Sequence, residues 1–198
     1  MTVITVLRES EDSILIAADS GGHESPGPTR IRIPDKLKRH PLVPVAWAGA
    51  GGDSIGERFT GWLQDEGLEN WNNCRSDAGN KFAELIGDVV QRISISQRRP
   101  ARPDELAQAL LVGWLDSQPQ IIELDDRGVD TSYLVEGFHA IGAGKLYAYT
   151  AHRTLQRYRL RPLSRLNRIM RIAATMAVQS DLPIHIWRVT SEGIQEVQ

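Results

Sequence analysis

The first fifty residues consist of short apolar runs separated by polar turns. Residues 2–7 and 13–18 are rich in β-branched and aliphatic side chains and flank the polar turn RESED, which predicts an N-terminal hairpin. A loop rich in glycine and proline, SGGHESPGP, follows, and the runs at 30–33 and 42–48 predict two further strands. We therefore expect this part of the chain to be all β.

The pattern changes to a helical period after this β-rich part. Asp53 follows a glycine pair and precedes IGERFTGWLQ, so it has the position and the side chain of a helix N-cap. The next segment has apolar residues three and four positions apart, which is typical of a helix with one buried face. Its apolar positions are Phe82, Leu85, Ile86, Val89, Val90 and Ile93. Two consecutive helices are therefore predicted.

The strand pattern returns after the polar break SQRRPARPDE. ALLVGWLD and QIIELD predict strands around the turn DSQP, and TSYLVEG is a candidate third strand. GAGKLYAYTAHRTLQRY and SRLNRIMRIAATMAVQ predict two more helices, and PIHIWRVT with GIQEV predicts a final hairpin. Runs of strands that alternate with pairs of helices favour one α+β domain over 1–198, with two central sheets and helix pairs on the outer faces.

Length and charge exclude several classes of function. A chain of 198 residues is the size of one domain. Its 23 basic and 25 acidic side chains nearly cancel, so we predict neither nucleic acid nor a membrane as a partner. The single cysteine, Cys74, cannot form an internal disulfide and fits a reducing compartment. The charged start lacks a signal-peptide centre, which favours a cytoplasmic location.

Seven arginines lie within nineteen residues near the C-terminal helices. They are Arg153, Arg157, Arg159, Arg161, Arg165, Arg168 and Arg171. Such a run can bind nucleic acid, but Pro162 interrupts its helical spacing and no aromatic ladder accompanies it. A solvated or subunit-facing surface is the favoured interpretation, which acidic segments of a neighbour could complement. The five histidines show no metal-ligand spacing, so no metal or other cofactor is predicted.

Three segments contain the candidate chemistry: the terminal TVITV, the strand end ILIAADS, and DKLKR followed by VAWAGAGGDS. Together they resemble the N-terminal half of proteasome β-type subunits and of HslV, the bacterial ring peptidase, both N-terminal-nucleophile hydrolases. LLVGWLD, QIIELDDRG, AIGAG and the final hairpin follow in the order of the family. The resemblance implies a four-layer αββα sandwich of two antiparallel sheets flanked by helix pairs. It also implies a homo-oligomeric ring, with an ATPase as a candidate partner.

The same resemblance assigns roles to individual residues. Thr2 matches the nucleophile that attacks a peptide or amide carbonyl after Met1 is removed, and Asp19 and Lys36 match the other catalytic positions. An α-amine or a lysine of lowered pKa can serve as the base that such a hydroxyl needs. The backbone around Gly49 matches the oxyanion donor. The small residues of AGAGG would let a substrate backbone approach closely.

The residues around Gly49 suggest how substrate would bind. Ala50 belongs to the small-residue stretch, and Trp47 lies two residues before Gly49 on the same face of the strand. In the family this position shapes the pocket for the substrate side chain, so Trp47 could restrict cleavage to small residues. A tryptophan between two alanines could equally be part of the core. Both interpretations stay open at this stage.

One departure from the family pattern and the register of the N-terminus bear on activity. Ala143 stands between two glycines where the family usually has a serine whose hydroxyl helps proton exchange. The start also fits the family in two registers. In the first, Thr2 is the nucleophile and its interval to Asp19 is one residue longer than usual, which the RESED turn could absorb. In the second, Met1 takes the nucleophile's place. We predict the first register and a hydrolase; the alternative is a catalytically inactive scaffold subunit that retains Met1.

Overall fold

The computed structural model describes residues 2–23, 30–32, 35–51, 53–65, 80–81, 83–85, 88, 107–115, 118–125, 128–130, 137–177 and 182–198. The strands are β1 Val3–Ser10, β2 Ser13–Asp19, β3 Gly21–His23, β4 Arg30–Arg32, β5 Lys38–Arg39, β6 Ala46–Gly51, β7 Ala107–Leu115, β8 Gln118–Asp125, β9 Gly128–Asp130, β10 Phe138–Gly142, β11 Ile184–Thr190 and β12 Gly193–Glu196. The helices are α1 Asp53–Asp65, α2 Lys145–Leu155 and α3 Pro162–Met176.

The first sheet has the strand order β10-β1-β2-β11-β12, and every neighbouring pair in it is antiparallel. The predicted N-terminal hairpin is confirmed as β1–β2, and the predicted final hairpin as β11–β12. The register between β1 and β2 shifts between Arg8 and Ser10, which places a β-bulge next to the RESED turn. The bulge therefore accommodates one extra residue without changing the faces of the earlier β1 residues.

The second sheet has the order β5-β6-β7-β8-β9 and is also antiparallel. The strand predicted at 42–48 begins only at Ala46, and Leu42 is 87% exposed. The reason is local: Pro41 and Pro44 have no N–H to donate to a ladder. Instead, the Nδ1 atom of His40 accepts hydrogen bonds from the backbone N–H groups of Leu42 and Val43, which closes a loop between β5 and β6.

Three apolar clusters show how the layers stack. Side chains of β1, β2 and β10 pack against α2 and α3, around residues such as Leu166 and Met170. The opposite face of the first sheet packs on the inner face of the second, where Ile4, Val6 and Leu110 meet. The outer face of the second sheet packs against α1. These contacts confirm the predicted four-layer αββα sandwich of two antiparallel sheets.

The helices differ from their predicted bounds in small ways. α1 begins at Asp53, at the position where the sequence predicted a helix start. α3 begins at Pro162, where a proline is tolerated because the first helical N–H has no intrahelical partner. The helix predicted from Phe82 to Ile93 is described only in part, with Leu85 helical and buried under the second sheet.

Several predictions fall on residues outside the described ranges. The candidate strand TSYLVEG is described only at its last residue, and β9, just before that segment, is the last described strand of the second sheet. Cys74 and Met1 also lie outside these ranges. None of the helices in the described part of the chain is long and apolar enough to cross a membrane.

Candidate active site

The structure brings together the three side chains that were predicted to be catalytic. Thr2 immediately precedes β1, Asp19 ends β2, and Lys36 lies between β4 and β5. The Nζ atom of Lys36 lies 3.1 Å from Thr2 Oγ1 and 3.0 Å from Asp19 Oδ1. It also donates a hydrogen bond to the carbonyl of Gly21. A hydroxyl, an ammonium and a carboxylate therefore share one site.

Asp19 fixes this group because its carboxylate is fully buried and hydrogen-bonded. Its Oδ1 atom accepts from the Val3 N–H at 2.8 Å, and its Oδ2 atom accepts from the Gly21 N–H at 2.9 Å. A carboxylate with no exposed surface needs such hydrogen bonds to offset the loss of its hydration. The bond to Val3 holds the start of β1, and the ion pair to Lys36 holds the ammonium next to Thr2.

Thr2 belongs to the face of β1 that points between the two sheets. Side chains alternate along a strand, so Thr2 shares a face with Ile4 and Val6. Both of these residues are in the cluster between the sheets. Thr2 is partly exposed at the end of this row. The hydroxyl therefore lies where the space between the sheets opens, and a one-residue slip would place it on the other face.

The turn between β10 and α2 lies directly against the backbone of Thr2 and Val3. Gly142 has φ of +83°, and a Cβ atom there would overlap the Thr2 carbonyl and lie 3.3 Å from the Cβ of Ala50. A Cβ on Gly144 would overlap the side chain of Val3. Only glycine fits such close approaches. Ala50 is thus beside the site, while Ala143 is exposed and has no hydroxyl.

Gly49 and Trp47 occupy the outer face of β6, opposite to Ala50. Gly49 is exposed and pairs with Ala109 of β7. Trp47 is only 2% exposed, packs in the cluster beneath α1, and donates its indole N–H to Thr60 at 3.1 Å. Core packing accounts for the position of Trp47. The roles of Gly49 as oxyanion donor and of Trp47 in a substrate pocket stay predictions.

A buried polar network lies next to this site and was missed by the sequence reasoning. Glu123 and His139 are 5% and 1% exposed, and their Oε2 and Nε2 atoms are 2.7 Å apart. The other Glu123 oxygen accepts from Gln108 Nε2 at 3.0 Å, and Tyr149 contacts the second ring nitrogen of His139. A polar residue in the middle of an apolar strand, as in QIIELD and FHAIG, was the available signal.

The arginine cluster spans the end of α2, the following turn and α3. All of its members are exposed except Arg165, which is partly buried.

His152, near the end of α2, is buried and stacks on Phe138 with 4.0 Å between the ring centroids. Burial, and then the charges of Arg165 and Arg153, lower the pKa of His152 to about 4. Among the residues that the structure describes, no three His, Cys, Asp or Glu side chains are grouped so that they could hold a metal ion.

Comparison with known proteins identifies the fold. No protein-family model matches the sequence, and no curated protein matches it. Among solved structures, the chain is similar to eukaryotic HslV from Trypanosoma brucei, with a TM-score of 0.68 and 20% identity over 95% of this chain and 99% of that chain. The chain has the HslV fold. An HslV-like, proteasome-like sandwich is the fold that the terminal motifs predicted, whereas a likeness at this identity does not establish an activity.

Proposed function

We propose that this chain is a threonine-type N-terminal-nucleophile hydrolase that cleaves peptide or amide bonds, with Thr2 exposed by removal of Met1. The observation that supports the proposal most is the 3.1 Å contact between Lys36 Nζ and Thr2 Oγ1, beside the buried carboxylate of Asp19. The Lys36 ammonium is nearly buried, and the Thr2 hydroxyl is one of the three acceptors that satisfy it. The same contact is what a nucleophile requires.

The hydrogen-bond directions suggest how protons would move. Lys36 donates to Thr2 Oγ1, to Asp19 and to the Gly21 carbonyl, so it would stabilise the alkoxide form of the threonine. The free α-amine of Thr2 would then be the base. Thr2 Oγ attacks the carbonyl carbon while its proton passes to the amine. That proton moves to the leaving nitrogen as the C–N bond breaks, and water hydrolyses the ester. Backbone N–H groups near Gly49 would bind the oxyanion.

The bulge in β1 supports the register in which Thr2 is the nucleophile. The resemblance to the family requires one extra residue between Thr2 and Asp19 in this register. The register shift between Arg8 and Ser10 supplies that residue at the far end of the strand. Thr2 then keeps the face that points between the sheets. With Met1 in the nucleophile's place, the Thr2 side chain would instead belong to the opposite face of β1, away from the space between the sheets.

We further propose a homo-oligomeric ring that takes peptide or protein substrates in the cytoplasm, with an ATPase as a candidate partner. The likeness to HslV supports the ring. The exposed arginines of α2 and α3 would face neighbouring subunits or solvent, and no nucleic acid is expected to bind them. Native mass spectrometry of the purified protein would test the assembly. A monomer at all concentrations would contradict the ring.

The second candidate function is a catalytically inactive scaffold subunit, and Ala143 is the observation that favours it. The family serine at this place supplies a hydroxyl that Ala143 lacks. The variant Ala143→Ser tests the difference because Ala143 is exposed and the added hydroxyl needs little space. A weak hydrolase should become faster with this hydroxyl. A scaffold subunit that retains Met1 should stay inactive in both forms.

The deciding experiment combines intact mass with hydrolysis of short peptide reporters. A mass that lacks one methionine, together with hydrolysis that Thr2→Ala abolishes and Thr2→Ser partly retains, supports the hydrolase. Thr154→Ala is the matched control, because Thr154 is exposed and its hydroxyl donates to the Thr150 carbonyl one turn earlier in α2. Its activity should equal that of the wild type. A protein that retains Met1 and hydrolyses no reporter would contradict the hydrolase and support the inactive scaffold subunit.

A further inference from the structure

We infer that Gln108 is a positioning residue that holds the Gly142 backbone beside Thr2, and that the buried Glu123–His139 pair sets the orientation of its amide. The inference rests on the proposed function of Thr2. Gln108 lies on β7 opposite Ala50 and on the same face as Leu110 and Val112, which point toward the first sheet. Its side chain therefore reaches the mouth of the space between the sheets.

The amide of Gln108 has one consistent orientation. Its Nε2 atom donates to the Glu123 carboxylate at 3.0 Å, because a carboxylate oxygen can only accept from it. The carbonyl oxygen of the same amide then faces the Gly142 N–H, which donates to it over a long 3.5 Å. A flipped amide would place two acceptors against each other at Glu123 and two donors at Gly142. Glu123 thus determines that the oxygen of the Gln108 amide, and not its nitrogen, faces the Gly142 N–H.

The Glu123–His139 pair is a rigid support because it joins three elements. Glu123 comes from β8 of the second sheet, His139 from β10 of the first sheet, and Tyr149 from α2. Both members of the pair are more than nine-tenths buried. A buried carboxylate and imidazole that bond each other are costly to separate, so the pair keeps its geometry. It holds the edge of β10 at a fixed distance from β7 and β8.

Gly142 transmits this position to the nucleophile through backbone contact. It pairs with Val3 across β10 and β1, and it approaches the Thr2 carbonyl too closely for any side chain. A shift of Gly142 would therefore shift Thr2 relative to Lys36 and to a bound carbonyl. Misplacement of reacting groups by about 1 Å costs roughly 100-fold in rate, whereas substrate affinity need not change. Gln108 would thus act on kcat through Gly142 and Thr2.

The test uses Gln108→Leu, which keeps the bulk of the side chain and removes both hydrogen bonds. Amide hydrogen exchange of the full protein, followed by mass spectrometry of peptides that cover 140–144, reports on Gly142 directly. We expect exchange there to speed up about tenfold, as loss of one hydrogen bond allows. For peptide reporters we expect kcat to fall roughly 10- to 100-fold with KM little changed.

Variants of Glu123 separate orientation of the amide from simple packing. Glu123→Gln keeps an acceptor for Gln108 and should retain more activity than Glu123→Leu. The double variant Gln108→Leu/Glu123→Leu should lose no more kcat than the more impaired of the two single variants, because Glu123 acts on Gly142 through Gln108. Glu9→Gln is the control: it removes a close ion pair with Arg188 at the far end of β1. It should change neither exchange at 140–144 nor kcat.

The two readouts distinguish failure of this inference from failure of the proposed function. Unchanged exchange at 140–144 in a folded Gln108→Leu protein would overturn the inference, whatever its activity. Faster exchange with an unchanged kcat would also overturn it, because Gln108 would then not position the nucleophile. A wild-type protein that hydrolyses nothing would refute the proposed function and the kinetic part with it. Gln108→Ala repeats the test if Gln108→Leu does not fold.

Discussion

The ammonium nitrogen of Lys36 lies 3.1 Å from the hydroxyl oxygen of Thr2, although 34 residues separate the two along the chain. Asp19 makes this contact possible, because the same carboxylate oxygen binds Lys36 and the Val3 N–H. One buried carboxylate therefore holds both the strand start that carries the Thr2 hydroxyl and the Lys36 ammonium. The three side chains are expected to behave as a unit whose members have non-additive effects.

Replacement of Lys36 by methionine should remove most hydrolysis. The variant keeps the length of the side chain and loses the donor to Thr2 Oγ1, so the alkoxide loses its main stabilising charge. We expect kcat for a peptide reporter to fall about 10³-fold, a loss typical of removing one such donor. Lys38→Met, two residues away on β5, is the matched control and should retain activity. Equal rates for the two variants would refute a catalytic role for Lys36.

Replacement of Asp19 by alanine should destabilise the fold as well as the site. It leaves the Val3 and Gly21 N–H groups and the Lys36 ammonium without this carboxylate. Loss of one partner of a buried ion pair costs about 3–5 kcal/mol. Urea unfolding should show a decrease of this order in the free energy of unfolding. Asp12→Ala, in the exposed turn after β1, should change it by less than about 0.5 kcal/mol.

The sequence predicted the layers and the Thr2 group for different physical reasons. Thr2 lies just before β1 and Asp19 ends β2, at the same end of one hairpin, so their proximity follows from the predicted hairpin, although their roles were assigned from the resemblance to a known family. Placing Lys36 required the resemblance to a known family, because its approach to Asp19 depends on a loop. The strand at 42–48 was placed too early, since two prolines and a histidine acceptor outweigh the apolar character of Leu42.

The Glu123–His139 pair is a contact between two sheets, which the hydrophobic pattern of a single strand cannot predict. The two residues are 16 positions apart and belong to different sheets. Their contact depends on how β8 of one sheet stacks on β10 of the other, which no period within either strand specifies. A polar residue inside an apolar strand indicates that a buried partner is needed. It does not indicate which residue that partner is.

Replacement of Gly142 by alanine should disrupt the site because the added Cβ would overlap the Thr2 carbonyl. The φ of +83° at Gly142 adds backbone strain of about 1–3 kcal/mol for a residue with a side chain. We expect a lower free energy of unfolding in urea and no hydrolysis. Gly61→Ala is the control, since a Cβ there meets nothing within 4 Å in α1. It should stabilise the protein by roughly 0.5–1 kcal/mol.

His152 should make the stability of the fold depend on pH. Burial chiefly, and then the positive charges of Arg165 and Arg153, lower its pKa in the folded protein from 6.5 to about 4. Between these values the unfolded chain binds a proton that the folded protein does not, so the free energy of unfolding decreases as the pH falls. The decrease is complete once the pH is well below the pKa of the folded protein.

Urea unfolding between pH 7 and pH 4 would measure this effect, with His152→Gln as the comparison. The variant should be less stable at pH 7, because it loses the stacking on Phe138, but its stability should fall less steeply with acid. Arg165→Met removes the larger of the two charge effects and should raise the pKa of His152 toward 6.5. Parallel curves for the wild type and His152→Gln would show that the folded protein takes up this proton as readily as the unfolded chain.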